Sequence, residues 1–318
     1  MQTPQILLVG AGPMAVDYWR VLNALSVPVR TVGRSETAAA SFREKTGAAC
    51  EAGGIENLLD QEGVLPAAAI VATGVEQLVP VAQLLIERGA KRILLEKPGA
   101  LSETELARLA AVAAERGAEV FIAYNRRFYA STLAARELIA AEGGAKSIAF
   151  EFTEWSHVIA PLVKADGVKA SWLIGNSTHV IDLAFHLGGA PADICCFTAG
   201  GLDWHPSSSI FAGAGTTRTG ALFSYQANWA SPGRWGVEVM LPTQRLIFRP
   251  LEALQAVYTG SVVAQQIEID DTLDKQFKPG LYRQVEAFLA GQTGSLCTLA
   301  EQLANWPLYK RIAGYPAG

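Results

Sequence analysis

The sequence predicts an α/β protein: an N-terminal Rossmann domain with a doubly wound parallel sheet, then a C-terminal α+β domain with a large, mostly antiparallel open sheet. Three observations predict it. Ile6-Leu7-Leu8-Val9 is a short apolar strand that runs straight into Gly10-Ala11-Gly12-Pro13-Met14-Ala15. From there to Ala123, short apolar strands alternate with helix-length segments, which is the grammar of a parallel sheet. After Tyr124 several strand-like runs follow one another, separated by Gly and Pro, as in an α+β domain. The expected boundaries are 1–123 for a dinucleotide-binding domain and 124–318 for a substrate-binding and oligomerisation domain.

The first element carries the clearest physics. Gly10 permits a tight turn, Gly12 lets the backbone approach a pyrophosphate, and Ala15 is small enough for close helix-on-strand packing. Pro13 suits the first helical position, where its missing N–H would have no partner anyway. The helix expected over Pro13–Leu25 therefore aims its free N–H groups at phosphates, with Met14 in its first turn. The second strand, Val27–Val32, should end at the residue that reads the ribose. That end reads Gly33-Arg34-Ser35-Glu36. A planar guanidinium and a hydroxyl suit a 2′-phosphate, so NADP is expected over NAD. Were Glu36 to hold the ribose instead, NAD would be the cofactor.

Further strands are expected at Ala68–Ala72, Lys91–Leu95 and Glu119–Ala123, with helices at Gln77–Arg88 and Ser102–Arg116. Ser102 with Glu105 forms a capping box. Ligands of such a sheet lie at the carboxyl ends of its strands, which puts Thr73, Gly74, Glu96 and Lys97 at the cofactor. In the second domain, helices are expected near Ser131–Ala141 and Thr178–Leu187. Strands are expected at Ala145–Glu154, Ile194–Thr198, Ala221–Trp229, Trp235–Leu241, Arg245–Phe248 and Gln265–Ile269, and the last forty residues read as mostly helical.

Composition excludes several classes. Half of the 318 residues are hydrophobic and 18% are charged, so a large core is available. A net charge of −4 argues against nucleic acid as a partner. No run of about 18 apolar residues marks a membrane span. Cys50, Cys195, Cys196 and Cys297 lack metal-type spacing and read as reduced thiols of a cytoplasmic protein.

Gly10-x-Gly12-x-x-Ala15, then Glu96-Lys97-Pro98, Tyr124-Asn125-Arg126-Arg127-Phe128 and His179-x-x-Asp182 in that order resemble the Gfo/Idh/MocA oxidoreductases over nearly the whole chain. The resemblance implies a hydride exchanged between NAD(P) and a secondary alcohol or ketone of a sugar, polyol or nucleotide-sugar. It also implies Lys97 as the cation beside the developing oxyanion and His179 as the acid/base, with Glu96 orienting Lys97 or lining the nicotinamide pocket. Tyr124, Asn125, Arg127, Trp155 and His157 fall where the resemblance places the substrate, joined by Asn176, His179 and Asp182.

His179, Asp182 and His186 lie on one helical face. A metal site, a core polar cluster and a catalytic His179 supported by Asp182 all fit that spacing. The last is preferred and no metal is expected, because the helix is otherwise apolar. One departure stands out: Gly175 occupies the position where family members commonly carry Asp, four residues before the histidine. The Asn176-Ser177-Thr178-His179 variant and the Trp-rich sheet resemble relatives of surface-carbohydrate synthesis, which favours a nucleotide-sugar or nonulosonate-type substrate. Apolar alternation in the strands implies a homodimer or homotetramer through the C-terminal sheet. A non-catalytic dinucleotide or sugar sensor on the same fold is the competing class; Gly175 favours it, Lys97 and His179 the enzyme.

Overall fold

The computed structural model describes residues 6–61 and 66–315. The chain forms two compact units, Met1–Tyr124 with Gln276–Asn305 and Asn125–Lys275 with Trp306–Gly318. Its strands are β1 (Ile6–Val9), β2 (Val29–Val32), β3 (Ala68–Val71), β4 (Arg92–Leu95), β5 (Glu119–Ile122), β6 (Ser147–Glu151), β7 (Pro191–Ala199), β8 (Ile210–Thr217), β9 (Leu222–Asn228), β10 (Gly236–Met240), β11 (Gln244–Phe248), β12 (Gln255–Tyr258), β13 (Gln265–Gln266) and β14 (Cys297–Thr298).

In the first unit the sheet order is β14-β5-β4-β3-β1-β2. β1 to β5 are mutually parallel and β14 adds an antiparallel edge. The strands are apolar throughout because helices cover both faces, so Ile6–Val9, Ile93–Leu95 and Val120–Ile122 are all buried. β1 lies between β2 and β3, so the strand order reverses there and opens the ligand crevice at their carboxyl ends. Helix Glu103–Arg116 starts as its capping box requires, with Ser102 Oγ accepting from the Glu105 amide at 3.2 Å. Residues 276–305 return to this unit, bringing helix Leu281–Ala290 and β14, and no motif in the sequence announces that return.

The second unit carries an eight-stranded sheet in the order β13-β12-β11-β10-β6-β9-β8-β7. All its pairings are antiparallel except β6 with β9. Alternation sends Phe150, Phe223, Tyr225, Val237, Leu246 and Phe248 to one buried face. Helix Thr178–Gly188 packs there, with the Phe185 ring 5.7 Å from Phe150 and 5.1 Å from Phe223. The opposite face keeps Ile210, Leu222 and Phe197 exposed. None of the four cysteines forms a disulfide among the described residues. Among the described residues no helix is long and apolar enough to cross a membrane.

Candidate active site

At the carboxyl end of β1, Gly10 adopts φ +129°, and a Cβ there would lie 2.3 Å from the Ala72 carbonyl oxygen. Only glycine fits both the conformation and the close approach to β3. A Cβ at Gly12 would meet no protein atom, which leaves the backbone accessible. Helix Pro13–Ala24 begins immediately after, with Pro13 at its start and Ala15 buried against the sheet. Gly10, Gly12, Pro13, Met14, Arg34, Ser35, Thr73 and Gly74 line one cavity of 560 Å³. A glycine turn, free helical N–H groups and a cavity of this size fit a dinucleotide.

Gly33 lies outside the lining: its Cα packs toward Ala11, where a Cβ would come within 2.8 Å of the Ala11 methyl. Ser35 caps helix Glu36–Thr46, its Oγ accepting from the Ala38 amide at 3.3 Å. Glu36 is engaged by Arg43 on the same helix. The carboxylate nearest Arg34 in sequence is therefore paired with Arg43. The cavity also contains Glu56 and Glu76, two acids the sequence did not single out.

Glu96 and Lys97 follow β4, beside β3 and outside that cavity lining. Lys97 is half-buried and precedes a cis peptide to Pro98. Tyr18 donates to Glu96 Oε1 at 2.7 Å. Burial pushes the Glu96 carboxyl above its usual range, against the opposing pull of the Tyr18 hydrogen bond and of Lys97. From helix Leu299–Ala313, the buried Gln302 donates to the Pro98 carbonyl at 2.9 Å and to Tyr124 Oη at 3.1 Å. This clamp fixes the turn after Lys97 and buries Tyr124. Sequence reading missed it, because no spacing rule links positions 204 residues apart.

In the second unit, a π-helical turn, Leu173–Ser177, runs into helix Thr178–Gly188 and puts the buried His179 near its start. The His179 ring lies 6.2 Å from that of Trp235. The carboxylate of Glu154, also buried, accepts from Ser177 Oγ at 2.7 Å and from Asn176 Nδ2 at 3.0 and 3.2 Å. Asn176, expected to face substrate, is thus held by Glu154, and the turn before His179 is tied to the segment after β6.

Arg127 and Asp182, also expected at the substrate, form a buried bidentate ion pair, Nε to Oδ2 at 2.8 Å and Nη2 to Oδ1 at 2.5 Å. Their charges satisfy each other, which makes them a structural pair holding the Asn125–Phe128 turn to the helix. Asn125 is buried and accepts from Arg126 Nη1 at 3.3 Å. Trp155 is 46% exposed and carries the Arg234 guanidinium 4.5 Å above its ring. His157 stacks beside it at 6.2 Å. Glu154, Trp155, Ser156, His157 and Trp229 line a cavity of 640 Å³. Arg126, Glu154 and Arg234 are the charged groups the motifs did not single out for this face. Burial, with Arg127 and Arg136 adding to it, drops the His186 pKa to about 3.

Residues 5–124 match the family model described as Gfo/Idh/MocA, "Oxidoreductase family, NAD-binding Rossmann fold". These residues belong to the Gfo/Idh/MocA oxidoreductases. The fold of the rest agrees: solved structures of this type superpose on nearly the whole chain. An oxidoreductase from Agrobacterium radiobacter, in complex with NAD+, L-tartaric acid and magnesium, is 12% identical with a TM-score of 0.78, covering 97% of this chain and 95% of its own. A levoglucosan dehydrogenase in complex with NADH and L-sorbose is 18% identical with a TM-score of 0.77, covering 98% and 96%. The UDP-N-acetylglucosamine 3-dehydrogenase GnnA from Acidithiobacillus ferrooxidans is 16% identical with a TM-score of 0.73, covering 98% and 97%. No curated protein matches the sequence itself. The matched unit is thus an NAD(P)-binding Rossmann domain.

Proposed function

We propose that the chain is an NADP-dependent oxidoreductase that exchanges a hydride with a secondary alcohol or ketone of a sugar, polyol or nucleotide-sugar, of the kind used in surface-carbohydrate synthesis. The observation that carries the reading is a glycine-turn dinucleotide cavity and the Glu96-Lys97-Pro98 turn on neighbouring strands of one sheet. When bound, the nicotinamide supplies the hydride acceptor or donor. Lys97 is the cation that stabilises the developing oxyanion, and His179 moves the proton of the substrate hydroxyl. Glu96, held by Tyr18, orients Lys97.

The preference for NADP rests on Arg34 and Ser35 in the cavity lining and on the diversion of Glu36 to Arg43. Two of the structural neighbours carry NAD+ or NADH, so this preference belongs to the present chain's own residues. Sugar substrates are supported by the exposed Trp155 platform and by neighbours that hold L-sorbose or act on UDP-N-acetylglucosamine. Phe197, Ile210 and Leu222, exposed on one face of the second sheet, favour association with another copy of the chain. Light scattering should then give a multiple of 33.8 kDa at micromolar concentration, and a lone chain would refute it.

Turnover of NADP+ or NADPH against a panel of sugars, polyols and UDP-sugars tests the reading. At least one should be oxidised or reduced. Tight dinucleotide binding with no turnover on any of them, and no effect of Lys97→Met, would leave a binding-only protein, the alternative that Gly175 favours.

A further inference from the structure

Trp235 gathers two cations that form no ion pair among the described residues. Its ring, 7% exposed, has the Arg126 guanidinium 4.8 Å from its centroid and that of Arg234 at 5.4 Å. Arg126 also lies 5.8 Å from the Tyr129 ring, and Arg234 4.5 Å from that of Trp155. Neither arginine forms an ion pair among the described residues. Arg126 reaches only the neutral Asn125 Oδ1, at 3.3 Å, and its Nε is buried with no hydrogen-bond partner. A buried donor left without an acceptor is costly, and more so when charged, so native structures seldom keep one. The acids whose fields reach Arg126 are Glu252 and Glu154, and both oxygens of Glu154 already accept from Asn176 and Ser177. Burial and the charge of Arg234 both act against the cation at Arg126. Two like charges thus lie within each other's field beside one indole ring, an arrangement that an incoming anion relieves.

We propose that Arg126 and Arg234 form, across Trp235, the binding site for an anionic oxygen group of the substrate, a carboxylate or a phosphate, so that this chain selects an acidic sugar derivative over a neutral one. The guanidinium fork matches either group with two parallel hydrogen bonds, and the indole face keeps the fork flat and sheds water from one side of it. The third group on the same indole is His179. An acid held here lies one ring away from the proposed proton relay, so its recognition also places the reacting carbinol. This inference rests on the carbohydrate oxidoreductase reading for the identity of the ligand, though not for the existence of the anion site.

Isothermal titration of the full chain loaded with NADPH, against D-glucuronate, glucose 6-phosphate and D-glucose, tests it. One or both acids should bind at least tenfold more tightly than D-glucose. The winner tells carboxylate from phosphate. Arg234 is exposed, so Arg234→Gln should fold normally, and it should erase the tenfold preference while leaving NADPH affinity unchanged. Arg126→Lys, which keeps the charge and loses the fork, should remove most of the preference as well. Acids that bind no better than D-glucose, or an Arg234→Gln protein with native acid affinity, would overturn the proposal. Arginine-dependent acid binding without any hydride transfer would refute the function and leave the site standing. Turnover of neutral sugars with no preference for acids would do the reverse.

Discussion

The two units build their sites by different means. In the first, the glycine turn, Arg34-Ser35 and Thr73-Gly74 follow the parallel strands β1, β2 and β3, and much of the proposed recognition is backbone: a positive φ at Gly10, an open approach at Gly12, free N–H groups at the start of helix Pro13–Ala24. In the second, the polar face is assembled from side chains at 126, 154–155, 176–179 and 234–235, which only the sheet register and the π-helical turn bring together. A backbone site tolerates little change at its glycines and much elsewhere. A side-chain site can be retuned one residue at a time. The fold itself superposes on neighbours at 12–18% identity, so it alone does not fix the substrate.

The largest effect should come from the proposed chemistry. Lys97→Met should abolish turnover with NADPH affinity nearly intact, and His179→Ala should lower kcat by roughly 10²–10⁴. Steady-state kinetics with NADPH titrations check both. If His179→Ala turns over at the native rate, the proton is carried elsewhere, with Tyr124 the next candidate despite its bond to Gln302.

The backbone site should break at a single glycine. Gly10→Ala forces a side chain into φ +129° and into the Ala72 carbonyl. The conformational strain alone is worth roughly 1–3 kcal/mol. Thermal unfolding should fall by several degrees, and dinucleotide binding should weaken with it. A variant with native melting and native NADPH affinity contradicts this account of the turn.

The side-chain site should fail differently. Glu154→Ala strips the acceptor from Asn176 and Ser177, at a cost of about 1–3 kcal/mol for the buried Ser177 hydroxyl left unpaired. Turnover should drop because the turn before His179 loosens, whereas NADPH affinity should hold. Glu154→Gln, which keeps one carbonyl acceptor, should recover part of the rate. Equal losses in cofactor binding and turnover would mean the whole protein is damaged and would erase the distinction between the units.

A smaller, graded effect belongs to His186. Its pKa of about 3 in the folded chain lies below the ordinary 6.5, so the unfolded chain takes up the proton first. Its contribution is complete above pH 6.5 and is lost as pH falls toward 3, at about 1.4 kcal/mol per pH unit. His186→Leu should flatten that part of the stability–pH curve in denaturant titrations, and Nε2, which has no hydrogen-bond partner, loses nothing by the change.

The same contrast decides what could be read from the sequence. Gly10-x-Gly12-x-x-Ala15 and the capping box at Ser102 were legible because backbone geometry constrains residue type at fixed spacing. β8 was not, because its Ile-Phe-Ala-Gly-Ala-Gly-Thr-Thr run lacks apolar alternation. Gly213 and Gly215 replace inward side chains there, since a Cβ would lie 2.4 Å from the Tyr225 ring and 2.7 Å from that of Phe223. β12 and the two-residue β14 are too short to show a period, and the strand read at Gln265–Ile269 shrinks to Gln265–Gln266. Arg127 looked like a substrate ligand and Arg126 did not. Only the fold reveals that Asp182 claims the first, while the second lies against Trp235.

The central claim, that the first unit reads NADP through the end of β2, is tested most directly by fluorescence titration of the native chain and Arg34→Ala with NADPH and NADH. The native chain should bind NADPH more tightly. Loss of one charge-assisted contact, about 1.5–3 kcal/mol, should weaken NADPH by roughly tenfold or more in Arg34→Ala and leave NADH nearly unchanged. Tighter NADH binding by the native chain, or equal losses for both cofactors in the variant, would contradict it.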